Sequence, residues 1–357
     1  MSKPEYFLTT PGLVLLTMLL LAGPGLPGTA RAQRDTIDPV NGRSLRGTIQ
    51  SSSPAGLVIE TSDGSREVAG WQIRRVKFGD EPNELTRARS AYADDRYNVT
   101  LQELASLTTP PDRELIQSDI RFFQAMAAAN TALAGGGITA AQASDQVRQF
   151  INECPNSYML EAARAALSEL TFAQGDFPKA VQMFATLASS DWPEIQFQSL
   201  INQGQALMME DKHAEAIKVF EQVDQVDNAA DYALQGKAIA RCLRAQALAF
   251  AGKPDEARQI ALDIIRNTDA RNSILFGHAY NALGASHLEK GELKDAARAY
   301  LHTDLLFTTD PDAHAQALYQ LTRIWPQLER SDRAVEARQK IRDRYRNTFW
   351  PSTLDDN

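Results

Sequence analysis

Five alanines recur along the second half of the chain at a nearly constant interval. Each begins the second helix of a predicted helical hairpin, and consecutive members lie 36, 41, 39 and 38 residues apart. Self-similarity at a period of this size is the signature of a repeat array. Because one hairpin cannot bury its own apolar face, such a chain folds by stacking neighbouring hairpins. The five are Ala180, Ala216, Ala257, Ala296 and Ala334.

Residues at fixed offsets from these alanines explain how the helices of the repeat pack together. A small residue twelve positions earlier lets the first helix approach the second closely, and an aromatic residue four positions later fills the space under the next repeat. A glycine five positions earlier can adopt the positive φ that ends a helix. The three sets are Ser168, Gly204, Ala245, Gly284 and Thr322; Phe184, Phe220, Ala261 and Tyr300; and Gly175, Gly252 and Gly291.

Together these offsets resemble the tetratricopeptide repeat. The resemblance covers residues 155–345 and extends, with fewer matching positions, back to about residue 82. The repeats here are longer than the common form and lack its tryptophan. The Pro-Asn-Ser-Tyr sequence at 155–158 is similar to the opening of the longer repeats in exported bacterial envelope proteins.

This resemblance implies a mainly α fold. We expect a tetratricopeptide-type α-solenoid of about seven helical hairpins over residues 81–348, followed by a C-terminal tail at 349–357. The concave inner groove of such an array is the usual ligand surface in the family. A generic α-solenoid is the alternative.

Residues 35–80 alternate apolar and polar side chains, which is typical of short β-strands. Residues 62–65, Ser-Asp-Gly-Ser, form a predicted hairpin turn. Four or five strands this short cannot form a sandwich, but a small closed barrel would leave no exposed edge. The pattern is similar to SH3-like or Sm-like barrels and predicts such a module at 35–80.

Two interpretations of the β module stay open. It binds a peptide or an envelope polymer through Trp71, with Arg74, Arg75 and Lys77 beside it, or it is a structural cap for the helical array. Its six basic and six acidic side chains cancel. The module therefore carries no strong electrostatic signal for a charged ligand, which favours the cap.

The first 32 residues have the pattern of a secretory signal peptide. Lys3 precedes an apolar run at residues 13–21, and Ala30-Arg31-Ala32 is a small-x-small cleavage site. We therefore expect a mature chain that starts at Gln33, without an integral membrane segment, in the periplasm or outside the cell. The alternative is an uncleaved anchor, although the run is shorter than the ~20 residues that a membrane span requires.

The charge of the mature chain argues against nucleic acid as a partner. Removal of residues 1–32 leaves 35 basic and 44 acidic side chains, a net charge of −9. A phosphate polymer would be repelled on average. The two cysteines, Cys154 and Cys242, lie 88 residues apart, and we expect buried unpaired thiols rather than a disulfide.

The sequence carries no recognisable catalytic motif, so we expect neither an enzyme nor a cofactor. Five histidines occur, without metalloprotease spacing. His302, Asp304, Asp310, Asp312 and His314 lie close together in sequence, where a metal site is one interpretation and a solvated loop between repeats is the other. The second is favoured, so no metal is expected.

The repeat register predicts which side chains face the concave groove. Most are neutral amides, which suit an extended peptide backbone because an amide both donates and accepts. The alternative is a solvated inner face that binds nothing. The predicted groove residues are Gln198, Gln205, Met208, Gln246, His278, Asn281, Gln316, Tyr319 and Arg323.

These features predict a scaffold or adaptor that holds a protein or peptide partner in the groove. A self-assembling structural component of the envelope, with arrays stacked end to end, is the alternative. The last predicted helix is strongly polar, with Arg338, Lys340 and Arg342 among its residues. A polar terminal helix solubilises the end of an array, which disfavours endless stacking.

Overall fold

The computed structural model describes residues 34–226, 231–346 and 348–354. Within them a short β-sheet leads into a long series of α-helices, which confirms the mainly α fold. The predicted signal peptide and its cleavage site lie outside the described residues. None of the helices in the described ranges has both the length and the apolarity needed to span a bilayer.

A five-stranded antiparallel sheet forms where β-structure was predicted. Thr61 pairs with Gly64 across the predicted tight turn, and Gly64 takes the positive φ of +109° that the turn needs. The strands are β1 (Asp35–Pro39), β2 (Leu45–Ser53), β3 (Gly56–Thr61), β4 (Gly64–Ala69) and β5 (Ile73–Lys77). They pair in the order β4-β3-β2-β1-β5, so β4 and β5 lie at the edges. The sheet is confirmed, whereas closure into an SH3-like barrel stays a prediction.

Fourteen α-helices follow within the described residues and pair as seven hairpins, as predicted. The odd-numbered helix of each hairpin also packs against the odd-numbered helices of its neighbours. The hairpins are α1 (Asn83–Ala93) with α2 (Tyr97–Ala105), α3 (Glu114–Leu133) with α4 (Ala140–Glu153), α5 (Leu160–Ala173) with α6 (Phe177–Leu187), α7 (Pro193–Met209) with α8 (His213–Gln225), α9 (Asp231–Phe250) with α10 (Pro254–Asn267), α11 (Ser273–Glu289) with α12 (Leu293–Leu306), and α13 (Pro311–Gln327) with α14 (Ser331–Arg344).

In two hairpins the small residue of the first helix meets the aromatic ring of the second helix of the same hairpin. A Cβ atom added at Gly204 would lie 2.4 Å from the Phe220 ring, and one at Gly284 would lie 2.8 Å from the Tyr300 ring. Both distances are too short for any side chain, so glycine is required where these rings pack. The five repeat alanines are buried, as expected at a close helix–helix contact.

The turn inside each hairpin contains one residue in the left-handed conformation. The predicted turn glycines take this role in three hairpins, with φ between +73° and +83°. One more turn uses a further glycine, two use an aspartate and one uses a glutamate. The acidic residues tolerate this region less well than glycine does. The seven residues are Asp95, Gly135, Gly175, Asp211, Gly252, Gly291 and Glu329.

The β-sheet and the first hairpins form one continuous apolar core. Arg113, just before α3, pairs with the buried carboxylate of Asp35 on β1 at 2.7 Å and donates to the Ile49 carbonyl oxygen at 3.0 Å. The backbone N–H of Tyr158 donates to Ser52 on β2 at 3.0 Å. These contacts favour the interpretation of the sheet as a cap on the array.

Candidate functional site

The first helices of the last five hairpins converge on a small cavity of about 40 Å³. Its walls come from α5, α7, α9, α11 and α13, and residues 348–354, here called the terminal segment, close it. Inward-facing first helices are what a curved array of helical hairpins produces. The lining residues are Phe172, Gln205, Met208, Met209, Leu243, His278, Asp312, Ala313, Gln316, Phe349 and Trp350.

A second, larger cavity of about 730 Å³ adjoins the first and shares four lining residues with it. It is open to solvent and extends along α13. We refer to the two cavities together as the inner groove. The second is lined by Phe177, Met208, Met209, Asp211, His213, Phe250, Leu288, Glu289, Gln316, Tyr319, Gln320, Arg323, Gln327, Trp350 and Thr353.

Six of the nine predicted groove residues lie together around these cavities, on α7, α11 and α13. The Arg323 guanidinium lies 5.8 Å from the centre of the Tyr319 ring, at the exposed end of the groove. This placement follows from the repeat register, although it does not by itself test binding. The six are Gln205, Met208, His278, Gln316, Tyr319 and Arg323.

The other three predicted residues lie elsewhere. Gln246 and Asn281 are buried between helices, so the expectation that they face the groove is wrong. Asn281 donates to the Ala313 carbonyl oxygen at 2.7 Å and to Gln316 Oε1 at 3.0 Å. These hydrogen bonds link α11 to α13 and hold the side-chain amide of Gln316 in place. Gln198 is exposed, lines neither cavity and bonds to Asn202 within α7.

The terminal segment is not a free tail, because it folds back against the inner groove. Phe349, Trp350 and Leu354 are all at least nine-tenths buried. The Phe349 ring packs edge-on against Phe172 and Phe177 of the third hairpin, with ring centres 5.3 and 5.0 Å away. Sequence reasoning missed this contact. The available signal was a pair of aromatic residues within an otherwise polar C-terminus.

Acidic side chains dominate the charge of the groove, which the sequence analysis also missed. Asp312 is an exposed residue on the wall of the first cavity, and desolvation by the neighbouring protein raises the pKa of its carboxyl to about 6, with a contribution from Asp310. Glu169 on α5 lies within electrostatic reach of Asp312, and burial raises its pKa to about 7. Asp312 therefore adds an acidic group to a lining that was expected to consist mostly of neutral amides.

The second cavity adds two more carboxylates. Asp211 and Glu289 lie on its wall, where Arg323 is the one lysine or arginine among the described residues that line it. Burial lowers the pKa of His213 beside them, so this imidazole is neutral at pH 7. The combined lining therefore favours a positively charged ligand group over a negative one.

The histidine and aspartate residues between positions 302 and 314 make several separate structural contacts. His314 and Asp304 are buried and bond at 3.0 Å, and Lys340 pairs with the same carboxylate at 2.7 Å. His302 stacks on Tyr280 with ring centres 4.4 Å apart. The expectation of a solvated loop is wrong for His314 and Asp304, because α14 covers them.

Trp71 lies on the short 3-10 turn between β4 and β5 and is 42% exposed. Beside it, a Cβ atom at Gly70 would clash with Trp192 and with the Tyr158 carbonyl oxygen. The exposed Arg75 on β5 pairs with Asp38 on the neighbouring strand β1. The turn therefore contacts the helical array on one side, and ligand binding by Trp71 stays a prediction.

Comparison with known proteins supports the repeat class. A sequence profile described as tetratricopeptide repeat matches residues 238–262, which lie on α9 and α10. No curated protein sequence matches the chain.

Solved structures with the same fold are similar over about three quarters of the chain. A tetratricopeptide repeat protein from Parabacteroides merdae is 14% identical over 73% of this chain and 92% of its own, with a TM-score of 0.51. NprR in complex with its cognate peptide NprX is 14% identical over 73% and 77%, with a TM-score of 0.53. A Rap protein complexed with Competence and Sporulation Factor is 15% identical over 75% and 77%, with a TM-score of 0.53.

Identities this low show a shared fold alone. The profile match, the seven hairpins and these structural neighbours together support a tetratricopeptide-repeat protein.

Proposed function

We propose that the chain is a non-enzymatic scaffold or adaptor that binds a peptide segment of a protein partner in its inner groove. The observation that carries the proposal is the groove, where the first helices of five hairpins present side chains to two adjoining cavities. The structural neighbour NprR is in complex with a peptide, which supports the same class of ligand here.

The side chains that line the groove indicate which residue types the partner segment contains. Gln205 and Gln316 offer amides that both donate to and accept from an extended backbone. Asp211, Glu289 and Asp312 outnumber the single cation Arg323. The proposed ligand is therefore an extended segment with at least one Lys or Arg residue.

A site-specific photo-crosslinker tests the proposal in the producing cells. Arg323 is exposed and lines the second cavity, whereas Lys294 is exposed on the outer helix α12. Benzoylphenylalanine at position 323 should form adducts with a discrete partner, and the same group at position 294 should not. Equal adducts at both positions, or none at 323, would count against the groove.

We further propose that the protein acts in the cell envelope, after export. The support is the apolar run at residues 13–21 followed by Ala30-Arg31-Ala32. Intact mass of the native protein after cell fractionation tests this directly. A chain that begins at Gln33 outside the cytoplasmic membrane is expected, and a chain that retains residues 1–32 in the cytoplasm would contradict it.

A further inference from the structure

The terminal segment places an aromatic pair in a cleft of the third hairpin. Phe349 lies between Phe172 on α5 and Phe177 at the start of α6, and its ring centre is 4.7 Å from that of Trp350. Both aromatic residues are more than nine-tenths buried. Edge-to-face contact between aromatic rings stabilises a site beyond the effect of the area that the rings bury.

The floor of the cleft is a glycine, which leaves room for an aromatic ring. Gly175, in the turn between α5 and α6, has φ +80°, and a Cβ atom there would lie 3.5 Å from the Phe349 Cβ. Met209 contributes flexible apolar surface to the same cluster. The α5–α6 hairpin thus supplies an aromatic cleft beside the acidic groove.

The chain's own segment fits this site imperfectly. The buried indole Nε1 of Trp350 has no well-formed hydrogen bond, although it lies close enough to Asp312 to favour the ionised carboxylate. A buried donor without a good acceptor destabilises the contact. A ligand that places a cationic donor at Asp312 would avoid this cost and would also pair with the carboxylate.

We propose that this aromatic cleft is the anchor site for an aromatic side chain of the partner segment, with a Lys or Arg residue close to it in sequence. The chain's own Phe349 and Trp350 hold the site until the partner displaces them. This inference rests on the proposed function, since it names the partner chemistry for the same groove. Occupation by the terminal segment lowers the apparent affinity in proportion to the fraction of time the cleft is free.

The test uses a synthetic peptide of residues 344–354, RYRNTFWPSTL, which carries both the aromatic pair and adjacent cations. Its binding to the full chain is compared with binding to the full-length Phe349→Ser/Trp350→Ser variant. We expect the variant to bind at least tenfold more tightly. A control peptide with serine at both aromatic positions should bind neither chain.

Folding of the variant is checked by its helical circular dichroism spectrum. Equal affinities of the two chains for the peptide, or no binding to a variant with the full helical signal, would overturn the proposal. Equal binding of the aromatic and serine peptides would overturn it as well.

A reversible disulfide between the terminal segment and the turn of the third hairpin provides a second test that does not depend on the serine variant. Full-length Gly175→Cys/Phe349→Cys brings two thiols to a Cβ separation suited to a disulfide, while the native Cys154 and Cys242 are buried and unpaired. The oxidised chain should bind the peptide at least tenfold more weakly than the reduced chain. Binding that does not respond to reductant would contradict displacement of the segment.

The two proposals fail in different ways. If position 323 forms partner adducts while the aromatic peptide does not bind the released variant, the groove function stands and the aromatic anchor is wrong. If the peptide binds but position 323 forms no adducts, the cleft exists and the groove function is wrong.

Discussion

The two ends of the described chain are stabilised in different ways. From Asp35 to about residue 170, one continuous core joins the β-sheet to the first hairpins, and buried ion pairs fix its charged groups. From α5 to α14 the apolar residues form several smaller clusters around an open groove. The sheet therefore stabilises one end of the array, while the groove leaves polar and acidic groups available at the other end.

The largest effect should come from the buried ion pair at the N-terminal end. Arg89 pairs with Glu81 and with Asp119, whose side chain is 2% exposed. Arg89→Ala leaves the buried Asp119 carboxylate without its cationic partner, and we expect a loss of about 3–5 kcal/mol in the free energy of unfolding. Chemical denaturation measures it.

The matched control is Arg96→Ala, because Arg96 forms an ion pair with Asp94 at the surface. We expect at most about 1 kcal/mol there, since exposed pairs contribute little. Equal losses from the two substitutions would contradict the claim that burial of the ion pair stabilises this end of the array.

The next effect concerns the helix contact that supports the groove wall on α7. Gly204→Ala places a Cβ atom 2.4 Å from the Phe220 ring, and overpacking of this kind costs about 1–3 kcal/mol. Gly137→Ala is the control, because an added Cβ there meets nothing within 4 Å. A shift in melting temperature should appear for the first variant alone, and its absence would argue against the close approach.

A smaller effect, an increase in the free energy of unfolding, is expected from a substitution in one of the turns. Glu329 has φ +60° in the turn between α13 and α14, where four other hairpins use glycine. Glu329→Gly should raise the free energy of unfolding by about 1 kcal/mol, because it relieves the left-handed strain. Gly252→Ala is the reciprocal control and should lower it by a similar amount. A Glu329→Gly variant that melts below the parent would contradict this account.

The smallest effect is a pH dependence that arises from the groove. Asp312 and Glu169 have pKa values raised to about 6 and about 7, so the folded chain holds these protons more tightly than the unfolded chain does. Their contribution to stability is therefore present in acid and is lost as pH rises from about 4 to about 7. The contribution is small because water reaches Asp312.

Melting curves of Asp312→Asn/Glu169→Gln between pH 4.5 and 7.5 check the sign of this dependence. The stability of the parent chain should fall relative to the double variant as pH rises. Parallel curves, or the opposite slope, would contradict the raised pKa values.

The local rules of the repeat could be predicted from the sequence. The offsets that join Gly204 to Phe220 and Gly284 to Tyr300 are fixed by helix geometry, and the turn glycines follow from their backbone freedom. The same register located Tyr319 and Arg323 on the inner face. Such features depend on residues within one or two hairpins, so a period along the chain reveals them.

The features that could not be predicted depend on the curvature of the whole array. Curvature brings Phe349 to Phe172, which lies 177 residues earlier, and brings Asp312 within reach of Glu169. It also buries Asn281 behind Gln316, where the register expected an open face. No local pattern encodes the sum of the six small rotations between successive hairpins.

The central claim is that the inner groove binds a partner segment that displaces the terminal segment. Hydrogen–deuterium exchange of the full chain, with and without the RYRNTFWPSTL peptide, measures it most directly. We predict faster exchange in residues 348–354 and slower exchange in α7 and α13 when the peptide is bound at saturation. Unchanged exchange in 348–354, or protection confined to the β-sheet around Trp71, would contradict it.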